Sequence, residues 1–218
     1  MSGMWRSIVV IGVILTLVGC NGQSATKGDV RSALEKKVAQ MKGYQGKGTM
    51  TFHTGQFPLV YEVEVAYQRP DTFRVAMKNR DEKVDQIILK NKQGVYVITP
   101  SLKKSFRFQT NWPKNQGQVY LYQTIVESIL QKKSTIKKEK NMYRIDGESN
   151  YPNETLSRQT IWLNQKTLEP IKVEVYDRND QLRVAMKFKQ FRFNPKFDSD
   201  YFTQKRSLEV YEWSQQIR

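Results

Sequence analysis

From Gly43 onward apolar residues recur mostly at every second position, so the chain reads as a succession of half-buried strands. In residues 59–68 Leu59, Tyr61, Val63, Val65 and Tyr67 share one face, while Glu62, Glu64 and Gln68 fall on the other. The same alternation marks Phe73, Val75 and Met77; Val95, Val97 and Thr99; Ile171, Val173 and Val175; and Leu182, Val184, Met186 and Phe188. Shorter candidates cover 47–54, 84–90, 104–109, 142–147 and 158–163. Turn signals such as Arg69-Pro70-Asp71 and Asn91-Lys92-Gln93-Gly94 separate them, which predicts one large meandering sheet of about ten strands. Phe188 ends an even-numbered apolar set, whereas Phe191 and Phe193 are odd. A bulge near Lys189 and Gln190 keeps both sets on the core side and bends the strand.

Two stretches have helical spacing instead. Asp29 precedes Val30, Ala33, Leu34, Val38 and Met41, and Gly43 closes the run, predicting an N-capped amphipathic helix. Within residues 117–131, Val119, Tyr122, Ile125, Val126, Ile129 and Leu130 predict a second one, set among the strands and preceded by the aromatic loop Asn111-Trp112-Pro113. The pentapeptide RVAMK occurs at Arg74–Lys78 and again at Arg183–Lys187, two strands meeting one demand, apolar inside and basic outside.

The N-terminus carries one charge, Arg6, ahead of an apolar run from Ile8 to Val18, which is shorter than the roughly 20 residues a membrane span needs. Residues 1–19 are therefore expected to be an export signal. Leu17-Val18-Gly19-Cys20 resembles the bacterial lipobox, which implies acylation of the Cys20 thiol and cleavage before it. A plain secretory signal with an incidental cysteine, or an uncleaved membrane anchor, are the alternatives. Asn21–Gly28 is small, polar and aperiodic, so residues 20–28 read as a tether, 29–205 as one domain and 206–218 as a tail. Cys20 is the only cysteine, which excludes an intramolecular disulfide.

The formal charge is +15 over 218 residues, and it falls to +14 when Arg6 leaves with the signal. Such a surface prefers anions. Export makes the expected partners acidic headgroups and cell-wall polymers, and nucleic acid is not expected. The Lys-rich stretch Lys132–Lys140 fits that reading, or is simply a solvated hairpin.

Catalytic chemistry is sparse. His53 is the only histidine, and no HExxH, GxSxG or Walker pattern occurs, so neither a histidine-rich metal site nor a cofactor is expected. The carboxylate pairs Glu62/Glu64 and Asp198/Asp200 read as surface charge. Ten Phe, eleven Tyr, four Trp and seven Met form the notable surplus. A curled sheet lined by such residues encloses either a packed core or an apolar cavity.

The order helix, long strand, Tyr67-Gln68-Arg69-Pro70-Asp71-Thr72-Phe73-Arg74, strand, Asn91–Pro100, together with the closing Phe193-Asn194-Pro195 and Tyr201-Phe202-Thr203, resembles the LolA/LolB superfamily of lipoprotein carriers. The resemblance implies a mainly β fold, an open antiparallel half-barrel of about eleven strands lidded by amphipathic helices, with a cavity for acyl chains. It implies that Arg69 ties lid to barrel. Tyr61, Val63, Phe73, Val75, Trp162 and Phe188 are the candidates for the cavity wall. A lipidated chain with this pattern is similar in character to the GerS-like and YdcC-like sporulation lipoproteins, the germination branch being linked to a cortex-modifying amidase.

The expectation is thus a non-enzymatic, lipid-anchored lipoprotein on the extracytoplasmic face of the cell membrane. It binds a hydrophobic ligand or scaffolds a partner. The alternatives are a wall hydrolase or an activator of one, docking through the basic face with Trp112 and Trp213, and a purely structural spacer.

Overall fold

The computed structural model describes residues 27–79, 85–108, 118–131, 133–149, 151 and 155–209. Eleven strands build one sheet: β1 (Gly43–Phe52), β2 (Leu59–Gln68), β3 (Thr72–Asn79), β4 (Asp85–Asn91), β5 (Gly94–Thr99), β6 (Lys104–Phe108), β7 (Ser134–Glu139), β8 (Met142–Glu148), β9 (Arg158–Asn164), β10 (Pro170–Tyr176) and β11 (Leu182–Phe193). Helix α1 (Lys27–Gln40) precedes β1, helix α2 (Tyr122–Gln131) lies between β6 and β7, and a short helical segment covers 204–209.

The spatial order is β6-β5-β4-β3-β2-β1-β11-β10-β9-β8-β7, and every pairing is antiparallel. Two meanders therefore meet where the first strand pairs with the last, and β6 and β7 are the edge strands among the described residues. The sheet is open, as the half-barrel expectation requires. The eleventh strand, β7, has Ile136 as its only large apolar residue, so alternation did not mark it. Its register is set by β8, which brings Ile136 opposite Ile145, while Lys137 and Lys138 blunt the edge.

The predicted bulge is present. Lys47 pairs with Gln190 and Gly48 with Phe188, so Lys189 is the extra residue. The strands approach closely here: a Cβ on Gly48 would overlap the Lys187 carbonyl. Because of the bulge, Phe188, Phe191 and Phe193 all pack inward.

Both helices cover this inner face. On α1, Val30, Leu34 and the following Met41 are buried, whereas Ala33 is exposed; the helix begins before Asp29, which sits in its first turn where the helix dipole favours a carboxylate. On α2, Tyr122, Ile125, Val126 and Ile129 are buried. Burying each such side chain contributes roughly 1.5–3 kcal/mol, which is why two short helices can be held on a sheet. Arg31 of α1 donates to the Leu130 carbonyl at 2.9 Å and to Ser134 Oγ at 2.7 Å, occupying a carbonyl at the α2 C-terminus.

A second apolar cluster lies on the opposite, outer face. Ile87, Leu89, Tyr96 and Ile98 are buried there with Phe202 and Leu208 packed against them. The covering segment runs through the boundary that the sequence reading draws at 205/206, with Ser207 fully buried.

Candidate functional site

The inner face is an aromatic core. Tyr44 stacks on Tyr67 and Phe191 with centroids 5.3 and 5.2 Å apart, and Phe191 meets Phe188 edge-on at 5.6 Å. The Tyr44 hydroxyl accepts the Tyr122 N–H at 3.0 Å and donates to Gln123 Oε1 at 2.6 Å, so a strand residue fixes the start of α2. Burial holds the Tyr44, Tyr120, Tyr122 and Tyr151 phenols above the ordinary tyrosine range.

Of the expected wall residues, Val63, Phe73, Val75 and Phe188 are buried in this core, and Tyr61 is half-buried, edge-on to Phe52 at 5.9 Å. The open space lies beside them. A cavity of about 660 Å³ opens between the end of β1 and the start of β11, lined by Phe52, Tyr151, Leu156 and Val184. Tyr151 Oη, buried beside it, has no hydrogen-bond partner among the described residues. Beyond Phe52, whose register partner is Leu59, the hairpin exposes Leu59 and Phe57, the latter 78% accessible.

The rim is polar. Asp177 accepts the Gln181 and Asn179 amides at 3.0 and 2.8 Å and Arg183 Nε at 2.7 Å. Those hydrogen bonds, the Gln181 amide foremost, hold its carboxyl below the ordinary range.

Trp162 does not join the inner wall. On β9, Ile161 and Leu163 point into the core, and strand alternation sends Trp162 to the outer face. There Lys172 Nζ sits 3.9 Å from the ring centroid and the Arg144 guanidinium 5.8 Å away, an arrangement that stabilises the cations over the π face. Register places Lys137, Arg144, Trp162, Lys172 and Lys187 in one row across β7 to β11. The second RVAMK thus contributes Lys187 to a basic outer row.

Arg69, in the turn between β2 and β3, donates Nη2 to the Val38 carbonyl of α1 at 2.6 Å, and its amide donates to the Lys42 carbonyl at 3.0 Å. Glu64 lies outside, accepting from Gln45 Nε2 at 2.9 Å with Lys47 Nζ at 3.4 Å; Asp198 and Asp200 are exposed. His53 follows β1, its amide bonded to the Arg183 carbonyl at 2.8 Å. Among the described residues no three His, Cys, Asp or Glu side chains gather as a metal site. Cys20, Trp112 and Trp213 lie outside the described residues.

Sequence reasoning missed the outer cluster. Its signal was available: in β5 the positions between Val95, Val97 and Thr99 are also apolar, Tyr96 and Ile98, the mark of a strand covered on both faces.

The profile described as "Sporulation protein YdcC-like" matches residues 3–202. The sporulation protein YdcC of Bacillus subtilis (strain 168) is 35% identical over 204 residues, which are 92% of this chain and 60% of that protein. An uncharacterized conserved protein of Thermus thermophilus shares the fold at a TM-score of 0.55 and 7% identity, over 82% of this chain and 94% of that one. Weaker structural likenesses include the complex of the CwlD amidase with the GerS lipoprotein from Clostridioides difficile (TM-score 0.44, 19% identity, 79% of this chain and 98% of that one). A LolA superfamily protein from Nitrosomonas europaea gives a TM-score of 0.40 at 12% identity, over 81% of this chain and 98% of that one. The profile spans nearly the whole chain, and the chain belongs to the YdcC-like sporulation protein family.

Proposed function

We propose that this chain is a non-enzymatic sporulation lipoprotein, anchored through Cys20 on the extracytoplasmic face of the membrane, that receives an apolar ligand at the open end of its helix-covered sheet. The observation that carries the reading is the cavity of about 660 Å³ beside Phe52, Tyr151, Leu156 and Val184, continued outward by the exposed Phe57 and Leu59. The apolar side chains Phe52, Tyr151, Leu156 and Val184 suit an acyl chain, whose transfer from water is driven by the area removed, while Thr54, Thr155, Asp177, Arg178, Asn179 and Arg183 supply polar groups around them. Most of the inner face is packed core, so the ligand enters an end of the half-barrel rather than its middle.

The test uses the purified full-length protein and a fluorescent fatty acid. Saturable binding is expected, and Leu156→Trp, which fills the mouth from a half-buried position, should abolish it. Unchanged binding in that variant would exclude this cavity. Anchoring is read separately by metabolic fatty-acid labelling, which should vanish in Cys20→Ala.

A second reading rests on the basic outer row around Trp162, which suits docking on an acidic partner such as a cell-wall amidase. In that case charge reversal at Lys137 and Lys187 weakens capture of the amidase and leaves fatty-acid binding intact.

A further inference from the structure

The first RVAMK places Arg74 on the outer face of β3, where it is only 7% exposed. Its Nε donates to Ser207 Oγ at 3.3 Å, and its guanidinium carbon lies 5.8 Å from the centroid of the Tyr201 ring. Among the described residues no carboxylate comes within ion-pair distance of it, although a guanidinium withdrawn from water normally has one. The segment carrying Tyr201 and Ser207 roofs a cleft of about 660 Å³ over β1 to β4, and Arg74 is part of its lining.

Lys47, Lys78, Lys189 and Arg206 line the same cleft, and its carboxylates are Glu62 and Glu64. Glu64 is occupied by Lys47 and Gln45, so it does not neutralise Arg74. Five cations against two carboxylates leave three positive charges in excess. Ala76, Ile87 and Pro100 add an apolar side to the space.

We infer that this outer cleft binds a phosphate ester, with Arg74 as the forked donor and Lys78, Lys189 and Arg206 closing around the anion. The planar guanidinium matches a pair of phosphate oxygens, lysines serve as point charges around it, and the apolar side accepts the organic part of the ester. The bulge that displaces Lys189 brings that lysine to the rim. The site lies across the sheet from the proposed apolar mouth and stands independently of it.

The test titrates the purified full-length protein in detergent with inorganic phosphate and with glycerol 3-phosphate, ionic strength being held constant with chloride. Intrinsic fluorescence and thermal midpoint are read. A saturable, phosphate-specific rise in the midpoint is expected. Arg74→Lys should weaken binding about tenfold, the scale of one lost charge-assisted hydrogen bond. Because Arg74 also holds the 197–209 segment, the variant Lys189→Gln, at an exposed lysine of the rim, provides a separate measure and should weaken binding severalfold without lowering the ligand-free midpoint. A response equal to that of chloride, or one unaltered in the rim variant, overturns the assignment. Short-chain phosphatidylglycerol, compared with phosphatidylcholine, identifies the source: competition with glycerol 3-phosphate indicates a lipid headgroup, and binding of glycerol 3-phosphate without such competition indicates a soluble ester.

Discussion

At the scale of single residues, the difference between the two faces of the sheet has measurable consequences. Trp162 sits on the outer face, half-buried between Lys172 and Arg144, so Trp162→Ala removes two cation–π contacts but leaves the packed inner core intact. Its expected cost is about 1–2 kcal/mol in urea unfolding, against the roughly 3–5 kcal/mol of a core tryptophan, and a loss in the higher range would return the ring to the interior. Size favours an inner place for a tryptophan, yet alternation with Ile161 and Leu163 overrides it, and the parity was visible in the sequence. Tyr44 was less legible. It precedes the segment read as the first strand, and its role at the start of α2 joins residues 78 apart, which no local pattern encodes.

Among elements, the outer cover formed by residues 197–209 was the least predictable. Phe197, Tyr201 and Phe202 cluster with centroids about 5 Å apart, and Phe202 and Leu208 reach the cluster of Ile87, Leu89, Tyr96 and Ile98. Ending the chain after Pro195 should expose those four side chains. A loss of at least roughly 2 kcal/mol and new binding of an apolar dye are expected, whereas an unchanged urea midpoint would show that the segment only rests on the sheet. The remaining elements were legible to the degree that one of their faces meets water. Both amphipathic helices, ten strands and the bulge at Lys189 follow from periodicity, while β7, with a single large apolar residue, depends on its partner strand.

For the molecule as a whole, the inner core fixes the response to pH. Burial raises the phenols of Tyr44, Tyr120, Tyr122 and Tyr151. A group whose folded pKa is raised contributes stability that is fully present below its unfolded value of about 10 and lost as pH climbs through the folded value. The urea midpoint should therefore fall between about pH 8 and pH 11, and equal midpoints would mean that these hydroxyls ionise as freely as in water. Topology adds a kinetic consequence. Tyr44 on β1 pairs with Phe193 on β11, so the two meanders are joined by contacts between opposite ends of the chain. Until β11 joins the sheet, one edge of β1 remains unmatched. Closure of the seam is the pairing with the greatest sequence separation, so its loop-closure cost makes it a slow step, and until it is complete the edge of β1 is open to pairing with a foreign strand.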